Sequence, residues 1–317
     1  MKLTAVDLFC GCGGLSRGLG NAGFEVLAGL DSWKQAISVY AANNPGHDAI
    51  VHDLSDEEAT YAVVSGYAPF LVAGGPPCQD FSSAGKREEG ARADLTVKYA
   101  RLIARVRPTA FIMENVERAK LSDAYREATE IYREAGYGIS LRVLDASRVG
   151  VPQKRKRLVM VGVHGENDGF LDARLDSCLS NPVTTVRGYL GGEIGFEHYY
   201  RHPRSYARRA IYSIDEPSAT IRGVNRPMPS NYAKHEGDTA DPDPSRVRAL
   251  TFRERARIQS FPADYVWPEG ISKAAAEQMI GNAVPVLLGE FVGRQLAEHL
   301  AESGRTEAES GFLEAAE

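Results

Sequence analysis

The residue with the clearest capacity for chemistry is Cys78, which follows two prolines in the segment GGPPCQDFSS at positions 74–83. The apolar run Pro69–Ala73 before it predicts a strand, and open α/β sheets bind ligands where such strands end. A buried, inert thiol is the more common fate of a cysteine. The glycines and prolines around Cys78 favour a nucleophile instead. The polar stretch Ser83–Asp94 that follows is suited to a flap that closes over a substrate.

Two further candidate groups follow later strand-like segments. Glu114 directly follows the apolar run Phe111–Met113. Partial burial there would favour the neutral acid, which can donate a proton or a hydrogen bond. A glutamate at the start of a helix is the alternative. In VPQKRKRL, strand periodicity puts Gln153, Arg155 and Arg157 on one face. Fixed positive charge favours a neighbouring thiolate, although this run alone would be typical of a solvated basic hairpin.

A glycine-rich turn, DLFCGCGGL at positions 7–15, follows the predicted strand Leu3–Phe9. Glycine allows positive φ and close approach of a ligand to the backbone. Asp31, at the end of the second predicted strand, is well placed for ribose hydroxyls, and Asp53 is a second candidate for the adenine end. Ser16 replaces the third glycine of the dinucleotide fingerprint. The turn therefore suits S-adenosylmethionine, which has no pyrophosphate, better than NAD.

A doubly wound, mostly parallel α/β sheet would bring these residues together. The first half of the chain alternates apolar strands with helical patterns, which predicts this fold class. The predicted strands are Leu3–Phe9, Phe24–Leu30, Ile50–Val51, Pro69–Ala73, Thr109–Met113, Ile139–Leu144 and Leu158–Val163. The predicted helices begin near Leu15 and end before Gly23, run from Leu95 to Val106, and span Leu121–Ala135.

The pattern changes after about Leu179 to short segments rich in Arg, Tyr, Gly and Pro. Gly223–Ser245 has almost no apolar periodicity and is typical of a functional loop or linker. Regular structure returns at Thr251–Ser260 and at Ser272–Ile280, a capped helix, and Pro285 fits the first position of a last helix. We expect a catalytic and cofactor-binding domain at 1–180 plus 269–300, a smaller domain at 181–268 with its variable part at 181–247, and a frayed acidic tail at 301–317.

Charge is distributed unevenly along the 317 residues, whose formal net charge is −5. That average alone argues against a nucleic-acid partner. Positions 187–235, however, contain eight Lys or Arg and only four Asp or Glu. Positions 298–317 contain six Glu and one Arg. The four cysteines form neither a disulfide framework nor a zinc-site spacing, and no apolar run is long enough to span a membrane. We therefore expect no metal and a cytoplasmic protein.

The chain resembles the prokaryotic DNA (cytosine-5) methyltransferases of restriction–modification or orphan type. The resemblance covers nearly the whole sequence apart from about 180–245 and the acidic tail. It rests on six blocks in the family's order: DLFCGCGGL at 7–15, GPPCQ at 75–79, ENV at 114–116, QKRKR at 153–157, RALTFRERARIQSFP at 248–262 and GNAVP at 281–285.

The resemblance implies a Rossmann-like, S-adenosylmethionine-dependent methyltransferase domain with a smaller target-recognition domain. It implies that Cys78 adds to cytosine C6, that Glu114 engages N3 and the amino group, and that Arg155 and Arg157 surround the nucleophile and the base. The implied cofactor residues are Phe9, Cys10, Gly11, Gly14, Asp31, Asp53, Leu54, Gly75, Pro77, Asn282 and Val284. The implied DNA-binding residues are Gln79, Ser82, Arg92, Thr220, Ile221, Arg222 and Arg226.

One cofactor contact stays open at this point. Many members of the family have an aromatic residue directly after the acid of the second strand, but this chain has Ser32 there and Trp33 one position later. The sequence therefore leaves undecided which residue packs on the adenine.

The activity that follows is sequence-specific transfer of a methyl group from S-adenosylmethionine to C5 of a flipped-out cytosine in duplex DNA, with S-adenosylhomocysteine as product. We expect a monomer that associates with the nucleoid when bound to DNA, and a cognate restriction endonuclease acting on the same site is a further expected partner. The alternatives are an RNA (tRNA) cytosine-5 methyltransferase and a non-catalytic DNA-binding relative. An NAD-linked oxidoreductase fits less well because Ser16 breaks the fingerprint.

Overall fold

A computed structural model describes residues 2–77, 94–205, 207–243 and 245–305. Several residues singled out above lie outside these ranges: Cys78, Gln79, Ser82, Arg92 and most of the predicted flap and acidic tail.

The described residues form twelve strands and ten α-helices. The strands are β1 (Thr4–Leu8), β2 (Glu25–Asp31), β3 (Asp48–Val51), β4 (Leu71–Gly74), β5 (Ala110–Asn115), β6 (Tyr137–Asp145), β7 (Gln153–Lys154), β8 (Lys156–His164), β9 (His198–Tyr200), β10 (Ile211–Ser213), β11 (Ser218–Ala219) and β12 (Val247–Ala249). The helices are α1 (Gly14–Asn21), α2 (Lys34–Asn43), α3 (Glu57–Gly66), α4 (Asp94–Val106), α5 (Asp123–Glu134), α6 (Asp172–Asp176), α7 (Val186–Leu190), α8 (Phe252–Ile258), α9 (Lys273–Asn282) and α10 (Val286–Glu302).

A seven-stranded sheet in the order β3-β2-β1-β4-β5-β8-β6 organises the first half of the chain. All neighbours in it are parallel except β8, which runs antiparallel to both β5 and β6. The chain moves from β1 outward to β2 and β3 and then returns to the other side of β1 with β4. This reversal opens a crevice beyond the carboxyl ends of β1 and β4, where ligands bind in sheets of this kind.

Helices cover both faces of the sheet, as the alternation of side chains along β1 requires. Ala5 packs in an apolar cluster with residues of α1, α6 and α10, whereas Val6 and Leu8 pack with residues of α3, α4 and α5. The mostly parallel, doubly wound sheet predicted from the sequence is thus confirmed, and each predicted strand overlaps an observed one. The pattern had not identified α2 and α3.

A second, three-stranded sheet in the order β10-β9-β12 carries part of the region after residue 181. The short strand β11 pairs with β7, with Ser218 opposite Gln153 and Ala219 opposite Lys154. This pairing fastens the second region to the basic segment of the first by main-chain hydrogen bonds. A shared apolar cluster, which includes Val39 of α2 and Tyr199 of β9, continues across the same boundary.

The helix caps follow the sequence signals with one correction. Thr251 forms a capping box with Glu254, and the Ser272 side chain accepts from Ala275 N, as expected for capped helices. Pro285 lies at the N-cap of α10 with ψ 136°, so the helix begins at Val286, one residue later than the sequence predicted. Its carbonyl accepts the first bonds of the helix, from Leu288 N and Gly289 N.

The last helix also extends into the predicted tail. Ala301 and Glu302 belong to α10, and Glu302 pairs with Arg174. The first two residues of the tail predicted at 301–317 are therefore helical. Among the residues described, no helix is both long enough and apolar enough to cross a lipid bilayer.

Candidate active site

A cavity of about 530 Å³ opens beyond the carboxyl ends of the central strands. Ten of the eleven predicted cofactor residues line it: Phe9, Cys10, Gly11, Asp31, Asp53, Leu54, Gly75, Pro77, Asn282 and Val284. The cavity is within the size range of about 300–1,000 Å³ found for small-molecule sites. Residues separated by more than 270 positions in the sequence therefore share one wall.

The turn after β1 is shaped by positive backbone angles and held by Asp31. Gly11 has φ +54° and Gly13 φ +89°, which glycine adopts without strain. Gly11 N donates to Asp31 Oδ2 at 2.9 Å, and Trp33 N donates to Asp31 Oδ1 at 2.8 Å. Burial raises the pKa of Asp31. Each carboxylate oxygen keeps a further acceptor position for a ligand hydroxyl.

Gly14, the eleventh predicted cofactor residue, is not among those lining the cavity. A Cβ at Gly14 would lie 2.2 Å from the carbonyl oxygen of Val284. The absence of a side chain lets the start of α1 pack directly on the segment before α10. Gly14 therefore acts on the cavity through Val284, which does line it.

Trp33 and Phe9 provide the aromatic surfaces of the cavity wall, with Ser32 between the strand and Trp33. The Trp33 indole N–H donates to Gln35 Oε1 at 3.3 Å. Asp53 lies on the same wall, where a hydrogen bond from Ser55 lowers its pKa. Trp33 therefore lines the cavity, although it stands one position later than the aromatic residue of the family pattern.

Glu114 and Arg157 also line the cavity. Arg157 Nε is 2.8 Å from Glu114 Oε1, and the two side chains are only 14% and 11% exposed. Their strands pair with Asn115 opposite Leu158, so the sheet register sets their separation. An ion pair shielded from water in this way holds both groups in a fixed orientation.

The segment leading to Cys78 passes beside this pair. The Asn115 side chain donates to the Pro76 carbonyl at 3.3 Å, and a Cβ at Gly75 would lie 3.4 Å from Glu114 Oε2. Pro76 and Pro77 line the cavity. The last described residues before Cys78 are thus anchored next to Glu114.

Arg155 differs from Arg157 in its surroundings. Its side chain is buried, with the residue only 2% exposed. Its guanidinium donates to the main-chain carbonyls of Ile221 at 3.1 Å, Gly281 at 3.2 Å and Ala283 at 3.0 Å. Arg155 and Arg157 were predicted to act together around the nucleophile and the base. The hydrogen bonds instead attach Arg155 to the main chain at Ile221 and at 281–283.

A second concavity of about 720 Å³, which we call the basic cleft, adjoins the cavity. The two share the residues Val116, Arg155, Arg157, Gly281 and Asn282. The other basic residues lining the cleft are Lys154, Arg201, Arg204, Arg208, Arg209 and Arg222. The cavity therefore opens through Arg155 and Arg157 into a strongly cationic groove.

The predicted DNA-binding residues divide between the cleft and the surface. Thr220, Ile221 and Arg222 line the cleft, whereas Arg226 is exposed and is not part of that lining. Thr220 Oγ1 donates to the Lys154 carbonyl at 2.7 Å. Burial, together with neighbouring arginines, lowers the pKa of Arg222 to about 10.

Asp7 is a cavity residue that sequence reasoning missed. It lines the cavity, is 1% exposed, and accepts a hydrogen bond from Ser16 Oγ at 2.6 Å. Burial raises its pKa to about 7. Tyr40 and His47 continue this hydrogen-bonded series, with 3.1 Å from Ser16 Oγ to Tyr40 Oη and 2.9 Å from Tyr40 Oη to His47 Nδ1. The sequence feature that could have identified Asp7 is the presence of an aspartate within an otherwise apolar strand.

The three cysteines within the described residues, Cys10, Cys12 and Cys178, are buried. Burial raises the pKa of Cys12 to about 12 and that of Cys10 well above its ordinary value. These thiols are therefore poor nucleophiles. Within the described part of the chain, no group of three or more His, Cys, Asp or Glu residues is arranged to hold a metal ion.

Comparison with known proteins places this site in a family. Residues 3–298 match the C-5 cytosine-specific DNA methylases. The chain is 46% identical over 301 residues to the Type II methyltransferase M.HgiDI of Herpetosiphon aurantiacus, covering 94% of this chain and 95% of the relative. It is 47% identical over 291 residues to the Type II methyltransferase M.HindV of Haemophilus influenzae, covering 92% and 95%.

Solved structures show the same fold. The S. pombe Dnmt2 methyltransferase matches with a TM-score of 0.72 at 20% identity, covering 95% of this chain and 99% of that one. The Entamoeba histolytica methyltransferase EhMeth matches with a TM-score of 0.66 at 17% identity, covering 96% and 99%. The chain therefore belongs to the C-5 cytosine-specific DNA methylase family, whose reaction is methyl transfer to C5 of cytosine in DNA.

Proposed function

We propose that the cavity binds S-adenosylmethionine, that the basic cleft binds duplex DNA, and that a cytosine flipped out of that DNA enters between them at Glu114 and Arg157. The observation that carries this proposal is the position of that ion pair on the boundary. Arg157 lines both concavities, and Glu114 lines the cavity 2.8 Å away. A base at this point would meet DNA on one side and a methyl donor on the other.

The residues of the cavity fit the chemistry of the cofactor. Asp31 offers carboxylate oxygens to ribose hydroxyls, Asp53 and Leu54 flank the adenine end, and Trp33 and Phe9 offer apolar faces to the base. Asn282 and Val284 complete the wall from the last block. When bound, the cofactor supplies an electrophilic methyl group on a sulfonium.

Cys78 is the nucleophile in this proposal. Its thiolate adds to cytosine C6 while Glu114 hydrogen-bonds N3 and the amino group, and this makes C5 nucleophilic enough to take the methyl group. Loss of the C5 proton and expulsion of the Cys78 thiolate then give 5-methylcytosine. Support comes from the anchoring of Pro76 beside Glu114, because Cys78 is two residues further along the chain.

The basic cleft provides candidates for contacts to DNA. Arg209 is paired with Glu216, and Arg187, outside the cleft, is paired with Glu197 and Asp215. Arg201 and Arg222 are bonded to main-chain carbonyls, whereas the side chains of Arg204 and Arg208 form neither an ion pair nor a hydrogen bond with another described residue of the cleft region. We propose that these two hold phosphates or guanine edges, with Gln79, Ser82, Arg92, Thr220, Ile221, Arg222 and Arg226 contributing further contacts.

We further propose that residues 1–180 and 269–300 act as the catalytic part and 181–268 as the target-recognition part. The protein would act as a monomer, with a restriction endonuclease cutting the same site as its cognate partner. The relatives described as Type II methyltransferases support that last point.

Bisulfite sequencing of plasmid from cells that express the protein tests the activity. We expect one short sequence to be protected from conversion by the wild-type protein, with Cys78→Ser as the inactive control. Purified protein with labelled S-adenosylmethionine is then offered duplex DNA and total tRNA in competition. Label in tRNA alone, or no protected cytosine in plasmid, would contradict the proposal.

A further inference from the structure

Arg155 links the cofactor cavity to the basic cleft through the main chain. One of its terminal nitrogens, Nη1, donates to the carbonyl of Ile221, and the other, Nη2, donates to those of Gly281 and Ala283. Ile221 lies in the cleft wall, and Gly281 and Ala283 lie in the cavity wall. A single planar guanidinium thus spans segments that are 60 residues apart in the sequence.

Two buried glutamines extend this link. Ile221 N donates to Gln153 Oε1 at 2.7 Å, and Gln153 Nε2 donates to Gln259 Oε1 at 2.7 Å. Gln259 Nε2 in turn donates to the Ile280 carbonyl at 2.5 Å. Gln153 and Gln259 are both 0% exposed. Breaking one of these buried hydrogen bonds would leave a polar group without a partner, which costs free energy. The two glutamines therefore couple the position of Ile221 to that of Ile280.

The two segments also touch directly. A Cβ at Gly281 would lie 2.2 Å from Gly223 N and 2.4 Å from the carbonyl carbon of Arg222. The end of α9 and the segment after Ile221 are therefore packed backbone against backbone. A displacement of residues 281–284 must displace residues 221–223.

We infer that Arg155 is a positioning residue that couples cofactor binding to DNA binding. This inference rests on the proposed function of the two concavities. Asn282 and Val284 line the cavity, so a bound cofactor restricts the 281–284 segment. Arg155 transmits that restriction to Ile221 and its neighbours in the cleft. DNA then binds to a surface that is already ordered, and loses less conformational entropy from the protein on binding.

The coupling is measured as the ratio of DNA dissociation constants without and with S-adenosylhomocysteine. The DNA is a duplex that contains the methylated sequence found by bisulfite sequencing. We expect S-adenosylhomocysteine to tighten DNA binding of the wild-type protein by about 5–150-fold, the usual range for coupled sites. By linkage, DNA must tighten S-adenosylhomocysteine binding by the same factor, which is an internal check.

Arg155→Lys is the test variant. Lysine keeps the charge but presents a single compact ammonium group, which cannot span the three carbonyls as the planar fork does. We expect the coupling factor to fall below about 3-fold; because it is a ratio of dissociation constants, a change in the binding of either ligand alone does not alter it. Arg142→Lys is the matched control, because Arg142 bonds Asp176 and pairs with Asp172 on α6, away from both concavities. It should keep the wild-type factor.

Hydrogen exchange of the wild-type protein provides a measurement that does not depend on the variant folding. S-adenosylhomocysteine alone, without DNA, should slow amide exchange in a peptide spanning residues 218–225 as well as in one spanning 279–285. Protection confined to 279–285 would overturn the inference. So would a folded Arg155→Lys protein with the wild-type coupling factor, or a wild-type protein with no coupling. Absence of DNA methylation by the wild type would instead overturn the proposed function.

Discussion

Glu114 and Arg157 face each other at 2.8 Å across two adjacent antiparallel strands. Their separation is set by the pairing of β5 with β8, which is part of the rigid sheet, and both side chains are almost completely shielded from solvent. Groups fixed in this way need little reorganisation when charge develops on a substrate. Under the proposed function, the pair is a preformed contact for the flipped base.

Replacement of Glu114 by Gln should reduce turnover and leave cofactor binding intact. Glutamine keeps the shape of the side chain, but it cannot supply the proton or the charge that N3 requires. We expect kcat to fall by about 10²–10⁴-fold, the usual contribution of a positioned acid or base. Calorimetry should give an unchanged dissociation constant for S-adenosylhomocysteine. Glu117→Gln, at the exposed start of the next turn, is the control, and equal activity of both variants would contradict the role of Glu114.

Gly14→Ala should destabilise the protein, whereas Gly20→Ala in the same helix should not. A Cβ at Gly14 would meet the Val284 carbonyl at 2.2 Å, but one at Gly20 meets nothing within 4 Å. We expect a loss of about 1–3 kcal/mol from overpacking at Gly14. At Gly20 we expect a gain of up to about 1 kcal/mol from helix propensity. Urea unfolding of both variants measures the difference, and equal midpoints would show that the close contact is unimportant.

Asp7→Asn should stabilise the cofactor-free protein at high pH. Burial raises the pKa of Asp7 from 3.8 to about 7, so the folded state keeps a proton that the unfolded state has lost between these values. The free energy of unfolding of the wild-type protein therefore falls, because of Asp7, as pH rises from about 4 to 7. At 1.36 kcal/mol per pKa unit, the wild type loses up to about 4 kcal/mol relative to the variant by pH 8.

The same comparison at pH 5 should give a difference of under about 2 kcal/mol, because the folded protein is still largely protonated at Asp7. Unfolding by urea at both pH values provides the measurement. A difference in stability that does not change with pH would mean that Asp7 is ionised in the folded protein at both values.

Trp33 should report cofactor binding by its fluorescence. The chain has two tryptophans, of which Trp33 lines the cavity and Trp267 packs among Phe252, Phe261 and Tyr265. We expect S-adenosylhomocysteine to change the emission of Trp267→Phe, which keeps Trp33, and to leave that of Trp33→Phe nearly unchanged. The opposite result would remove Trp33 from the adenine site.

Local patterns in the sequence predicted the sheet, the glycine-rich turn, Asp31 and Asp53, whereas the other predicted cofactor residues came from the resemblance to the family. Apolar runs mark strands, and residues directly after parallel strands share one edge, which is why Asp31 and Asp53 line one cavity. The helices α2 and α3 were missed because they bury few residues. Only Ala36, Ile37, Val39 and Tyr40 of α2, and Thr60 and Val64 of α3, are buried.

The role of Arg155 could not be predicted from the sequence. Its partners Ile221 and Gly281 lie 66 and 126 positions away, and no local pattern indicates which carbonyls a buried guanidinium will meet. Ser16 shows the same limit at shorter range. It was considered only as a missing glycine, but its hydroxyl is the hydrogen-bond donor to Asp7.

Covalent trapping tests the central claim most directly. A duplex with 5-fluorocytosine at the target position is incubated with the protein and S-adenosylmethionine, and the product is digested and analysed by mass spectrometry. We expect a denaturation-resistant complex whose adduct maps to Cys78, since fluorine cannot leave C5 as a proton does, and none at the buried thiols Cys10 and Cys12. Methylation of the ordinary duplex without any adduct on the fluorinated one, or an adduct at another residue, would contradict the account.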